Sequence, residues 1–107
     1  MSVQEKNRWK QWADSLRQEM MGSLTSEVTK SVEAIATEVA TTKSENTWRS
    51  ERFWRSCQVG ASPNDFLRVS GFEIDFQPRD HSVCEVTLRL NETWMEILQD
   101  VLDRQRA

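Results

Sequence analysis

The sequence predicts an oligomeric α+β protein, in which a long N-terminal coiled-coil helix precedes a small β-hairpin–α-helix module. Three observations predict it. Val28, Val32, Ile35, Val39, Thr42, Asn46, Arg49 and Phe53 alternate four- and three-residue steps, a heptad seam that only a helix gathers onto one stripe. Two later segments alternate apolar and polar residues with the period of a half-buried strand. The last fifteen or so residues return to helical spacing behind a good N-cap residue.

The first element is a helix over Ser2 to Met21. Trp9, Trp12, Leu16 and Met20 share one face, and charged residues occupy the rest. Gly22-Ser23 is the first weak point, because Gly disfavours a helix interior and Ser23 is able to cap a new helix at Leu24. Two arrangements follow. In the favoured one the helix continues to about Cys57, a rod of about 80 Å at the α-helical rise. In the other the chain turns at Gly22 and the Trp9/Trp12 helix folds back on Leu24 to Val39.

The seam itself is one narrow apolar stripe on a helix otherwise made of Ser, Thr, Glu, Lys and Ala. Such a stripe needs a second helix. Leu24, Val28, Val32, Ile35, Val39 and Phe53 are therefore the expected oligomer interface, with residues 1–58 as the oligomerisation region and 59–107 as the end module. Thr42, Asn46 and Arg49 weaken the second half of the seam.

Trp48 to Arg55 is the most distinctive stretch. Arg49, Arg52 and Arg55 step by three and form a cationic ridge if helical, with Trp48, Phe53 and Trp54 interleaved. Arginine beside aromatic rings is able to stack on bases and pair with phosphate. The plainer reading has Trp48 and Trp54 clamping the module that follows while the Arg residues pair with Glu45 and Glu51.

Gly60 and Pro63 are expected to end the helical half. Phe66 to Gln77 then reads as a strand, with Phe72, Ile74 and Phe76 on one face and Glu73 and Asp75 on the other. Pro78 begins the turn. Val83 to Leu90 is its antiparallel partner, with Cys84, Val86, Leu88 and Leu90 on the greasy side. Asn91 caps a helix running to about Gln105 whose stripe is Trp94, Ile97, Leu98, Val101 and Leu102. The expected head-domain core is Phe72, Ile74, Phe76, Val86, Leu88, Trp94 and Leu98.

Composition bounds the function. Hydrophobic residues are 37% and charged residues 29%, with a formal net charge of -3. An acidic balance does not suit bulk attraction to nucleic acid or anionic membrane. Two cysteines make no disulfide framework, and a polar N-terminus carries no apolar leader, so a soluble, cytoplasmic protein is expected. Three scattered glycines form no phosphate loop. His81 and Cys84 would point apart, one in a turn and one under a strand, so neither a metal site nor a Cys–His nucleophile is expected.

No catalytic residue, cofactor or metal ligand is thus expected, and the chain reads as a non-enzymatic homo-oligomeric interaction protein of the scaffold, adaptor or assembly kind. Its partners are itself and another protein. The alternative is a small nucleic-acid-binding regulator using Trp48, Arg49, Arg52, Trp54 and Arg55. A third reading has Trp9 and Trp12 anchor the chain in a target's groove, as exposed tryptophans do at interfaces.

Overall fold

A computed structural model describes residues 3–59 and 64–106. In chain order the elements are α1 (Val3–Gly22), β1 (Glu27–Ser31), α2 (Val32–Val39), α3 (Glu45–Trp48), α4 (Glu51–Ser56), α5 (Phe66–Val69), β2 (Phe72–Asp75), β3 (Glu85–Leu90) and α6 (Glu92–Arg106). The α+β class is as the sequence predicts.

The continuous rod is not. Helix α1 stops at Gly22 in a hydrogen-bonded C-terminal cap: Thr25 N–H donates to Met20 C=O at 2.8 Å and Leu24 N–H to Met21 C=O at 3.3 Å. Leu24 takes the left-handed conformation, φ 57°, that such a cap demands. Ser23 therefore belongs to the end of α1 and starts no helix.

The next residues are extended. Glu27–Ser31 pairs antiparallel with β3, Val28 opposite Leu88 and Thr29 opposite Thr87. Ser31 then N-caps α2, its Oγ accepting from Ala34 N–H at 3.1 Å. A second left-handed residue, Ala40 at φ 58°, closes α2 after eight residues. Ser50 caps α4, accepting from Phe53 N–H. The serines of this region are start signals, and they do the punctuating that Gly and Pro were expected to do.

The expected coiled coil and its oligomer interface have no basis in this fold. Val28 lies on a strand, while Val32, Ile35, Val39 and Phe53 are buried inside the single chain, and Leu24 packs at the edge of the same core. The greasy stripe finds its cover in this chain's own sheet and helices.

The sheet has three strands in the order β1-β3-β2, all antiparallel. The β2–β3 hairpin matches the sequence expectation in pairing and in facing. Phe72, Val86, Leu88 and Leu90 are buried, and Ile74 and Phe76 pack against the core. Two details differ. Phe66–Val69 is a helical turn, so the strand begins only at Phe72, after Gly71. Cys84 lies one residue before β3, which starts at Glu85, and is exposed. The expected stop at Gly60 and Pro63 falls outside the described residues.

Helix α6 starts as expected: Asn91 Oδ1 accepts from Trp94 N–H at 3.0 Å. Of its apolar stripe Leu98 is buried, Trp94 and Leu102 pack against the core, and Ile97 stays 41% exposed.

Candidate interaction surface

Every tryptophan the sequence offered as an anchor has a structural post. Trp9 is fully buried at the centre of an aromatic cluster, with ring centroids 5.2 Å from Phe53, 5.1 Å from Phe66 and 6.1 Å from Trp54. Trp12 meets Trp9 edge-on at 6.4 Å and donates its indole N–H to Glu38 at 3.4 Å. Trp54 is buried and donates to Trp48 C=O at 2.7 Å. A groove-filling role for Trp9 and Trp12 is thereby overturned, since neither ring stands at the surface to be offered. The apolar face of α1 exists to carry this cluster, and each indole N–H in it has an acceptor.

The arginine ridge is also dispersed. Helix α3 ends at Trp48 and α4 begins at Glu51, so Arg49 sits in the turn between them. Arg49 pairs with Glu45 at 2.6 Å and Glu33 at 3.3 Å, and its guanidinium lies 4.8 Å from the Trp48 ring centroid. The Glu45 hydrogen bond and the neighbouring carboxylates hold its pKa above the ordinary value. Arg55 pairs with Glu51 at 2.6 Å and covers Phe76. Arg52 is exposed and makes no ion pair among the described residues. The plainer sequence reading, with glutamates engaging the ridge and guanidiniums resting on rings, describes Arg49 and Arg55.

A buried carboxylate that the sequence did not single out fastens α1 to the loop after α2. Glu5 is only 3% exposed. The Thr41 hydroxyl donates to it, as do the Thr42 N–H and hydroxyl at 3.2 and 3.1 Å and the Trp9 indole at 3.1 Å. Arg8 stands 3.6 Å away and also donates to Ala40 C=O. Burial pushes the Glu5 carboxyl up, but the donated hydrogen bonds outweigh it and hold its pKa below the ordinary 4.5. Glu5 lies four residues before Trp9, a spacing that places both on one helix face, which was the available signal.

The outer face of the sheet is polar, and among the described residues no helix covers it. Glu27, Thr29, Glu73, Asp75 and Glu85 are exposed there. Arg89 crosses it, bonded to Glu27 at 2.9 Å and 3.6 Å from Asp75, and Thr29 and Thr87 share a hydrogen bond of 2.8 Å. Its two rims differ. On β2 the residues facing away from β3 are Phe72 and Ile74. The Gln58 side-chain amide donates to Phe72 C=O at 3.1 Å and accepts from Ile74 N–H at 3.3 Å, so it occupies that rim as a short strand would. On β1 the bonds Leu90 N–H to Ser26 C=O and Val32 N–H to Cys84 C=O fix the even-numbered residues toward β3. Glu27, Thr29 and Ser31 therefore aim their backbone groups outward. Among the described residues nothing hydrogen-bonds to the Glu27 or Thr29 backbone on that side.

Elsewhere, Met95 and Ile97 of α6 are each partly exposed, on different sides of the helix. A cleft of about 410 Å³ at the turn end of the hairpin is lined by residues that include Asp75, Phe76, Arg79, Cys84, Glu85 and Thr87. Cys57 is buried, and burial pushes its thiol pKa far up, which makes it an inert core residue. His81 is exposed beside Glu51 at 3.3 Å. Among the described residues no three His, Cys, Asp or Glu side chains are grouped closely enough to hold a metal ion, and no helix is long and apolar enough to cross a membrane. Comparison of the chain with protein-family models, with curated proteins and with solved structures found no match.

Proposed function

We propose that this chain is a non-enzymatic, homo-oligomeric interaction protein of the scaffold or assembly kind, whose α+β body makes the contacts first expected of a coiled coil. The observation that supports it is the open rim of β1. A row of unpaired backbone donors and acceptors is a template for another strand, and proteins that do not use such a rim block it. Here β2's rim is blocked by Gln58, and among the described residues nothing hydrogen-bonds to the outward Glu27 and Thr29 backbone of β1. The cytoplasm is the proposed compartment, since two free thiols, one of them exposed, suit a reducing medium.

The nucleic-acid alternative has less behind it. Two of the three guanidiniums are already neutralised by Glu33, Glu45 and Glu51. The net charge of -3 supplies no long-range attraction to phosphate.

Sedimentation velocity over a concentration series tests the proposal. A mass that rises toward a multiple of 12.5 kDa is the expected result. A 12.5 kDa species at every concentration would dismiss homo-oligomerisation.

A further inference from the structure

Resting on that reading, we propose that the partner of the β1 rim is β1 of a second copy, paired antiparallel about a two-fold axis through Thr29, so that two three-stranded sheets become one six-stranded sheet.

Register carries the argument. Glu27, Thr29 and Ser31 direct their N–H groups away from β3, and Glu27 and Thr29 their C=O groups as well. An antiparallel partner must meet outward-facing residues with outward-facing residues. A two-fold centred on Thr29 does this with the same strand twice: Thr29 meets Thr29, Glu27 meets Ser31, and Ser31 meets Glu27. The pairing closes on itself and leaves no new rim, because the outermost strands of the joined sheet are the two β2 strands that Gln58 already covers.

Side chains agree on both faces. On the outer face Thr29 already bonds Thr87, so the two-fold extends that pair into a run of four threonines, a favourable cross-strand neighbour set. Ser31 Oγ accepts from Ala34 N–H and keeps its own proton, which is free to be donated to the Glu27 carboxylate across the axis. On the inner face Val28 meets Lys30. A lysine at a rim ordinarily repels strands, but the Lys30 ammonium is drawn onto α2 by Glu38 at 3.2 Å. No like charges stand directly opposite anywhere in the pairing. A two-fold through Glu27 would set carboxylate against carboxylate, and one through Lys30 would set ammonium against ammonium.

The experiment uses the full chain. Thr29→Pro removes an N–H that serves no bond to β3, a place where an edge strand accepts proline. It deletes both central bonds of the proposed pair, and self-association is expected to weaken roughly twenty-fold. Thr29→Lys and Thr29→Asp keep the backbone and set like charges against each other on the axis. Each alone is expected to sediment as monomer, and an equimolar mixture is expected to recover a heterodimer. Circular dichroism confirms that the variants are folded. In the wild type, the Thr29 amide is expected to exchange slowly at high concentration and quickly on dilution. Unchanged dimers in all three variants, or a Thr29 amide that exchanges quickly in the dimer, would overturn strand pairing while leaving self-association standing. A wild-type chain that remains monomeric from about 1 µM to about 1 mM would overturn both. Recovery of the monomer with an extended foreign peptide on β1 would assign the rim to another protein and overturn the homotypic pair.

Discussion

Glu5 shows what a single polar residue does in a small core. A carboxylate at 3% exposure is costly unless its lone pairs are met, and here Thr41, Thr42 and Trp9 meet them. The two threonines stand 36 and 37 residues from Glu5, so the group ties the start of α1 to the loop after α2. Its folded pKa lies below 4.5, and the unfolded state therefore binds the proton more readily. The stabilisation is present above the unfolded value and is lost as pH falls through the folded one. Glu5→Gln is expected to cost about 2 kcal/mol at neutral pH and to flatten the loss of stability on acidification below about pH 4.5. Urea melts of both proteins between neutral and acid pH measure this; parallel curves would contradict it. The four-residue step from Glu5 to Trp9 is local, but nothing near Glu5 in sequence announces Thr41 and Thr42, which arrive from a distant loop.

At the scale of elements, the hairpin and α6 were legible, and the Leu24 to Phe53 region was not. Alternation over Phe72–Asp75 and Glu85–Leu90 reports a sheet with one wet face, and Asn91 marks the helix start. In contrast, four- and three-residue steps through Val28, Val32, Ile35 and Val39 are shared by a helix and by a strand that hands over to a helix at Val32. Four apolar residues do not separate the two. What separates them is capping: Ser31 and Ser50 start helices, and Leu24 and Ala40 end them with left-handed backbone that non-glycine residues rarely adopt. Packing of the surrounding elements supports those residues, and no local rule announces them.

Docking of α6 on the sheet depends on Gly71. It sits at φ +97°, and a Cβ there would lie 2.3 Å from Trp94 Cδ1. The Arg17 guanidinium also rests on the Trp94 ring, 4.3 Å from its centroid. Gly71→Ala is expected to destabilise by about 3 kcal/mol, from overpacking and backbone strain together. Trp94→Ala in the same chain removes the clash, so a double-mutant cycle by urea denaturation is expected to show strong favourable coupling; additive losses would contradict the contact.

For the whole molecule, one aromatic cluster joins the two halves. Trp9 comes from α1, Phe53 and Trp54 from α4, and Phe66 from α5, and their rings meet at 5–6 Å. This is how a chain with 37% hydrophobic residues gathers a core: few residues, but large ones. Trp9→Ala is expected to cost about 4 kcal/mol, a large share of the roughly 5–15 kcal/mol of a small domain, and to lower the urea midpoint steeply. A midpoint near that of the parent would place the centre of the core elsewhere. Three of the five tryptophans, Trp9, Trp12 and Trp54, are buried in or against this cluster.

By itself the sequence determined the mixed class, the hairpin with its greasy side, the capped C-terminal helix and the helical face of Trp9, Trp12, Leu16 and Met20. Each follows from periodicity and capping within a dozen residues, where local physics suffices. Only the tertiary structure decided what covers that face and the Val28–Val39 stripe, and that β3 recruits Glu27–Ser31 as a third strand. An apolar stripe states that it must be buried and not against what, because burial is non-directional and the covering surface is chosen by residues far along the chain.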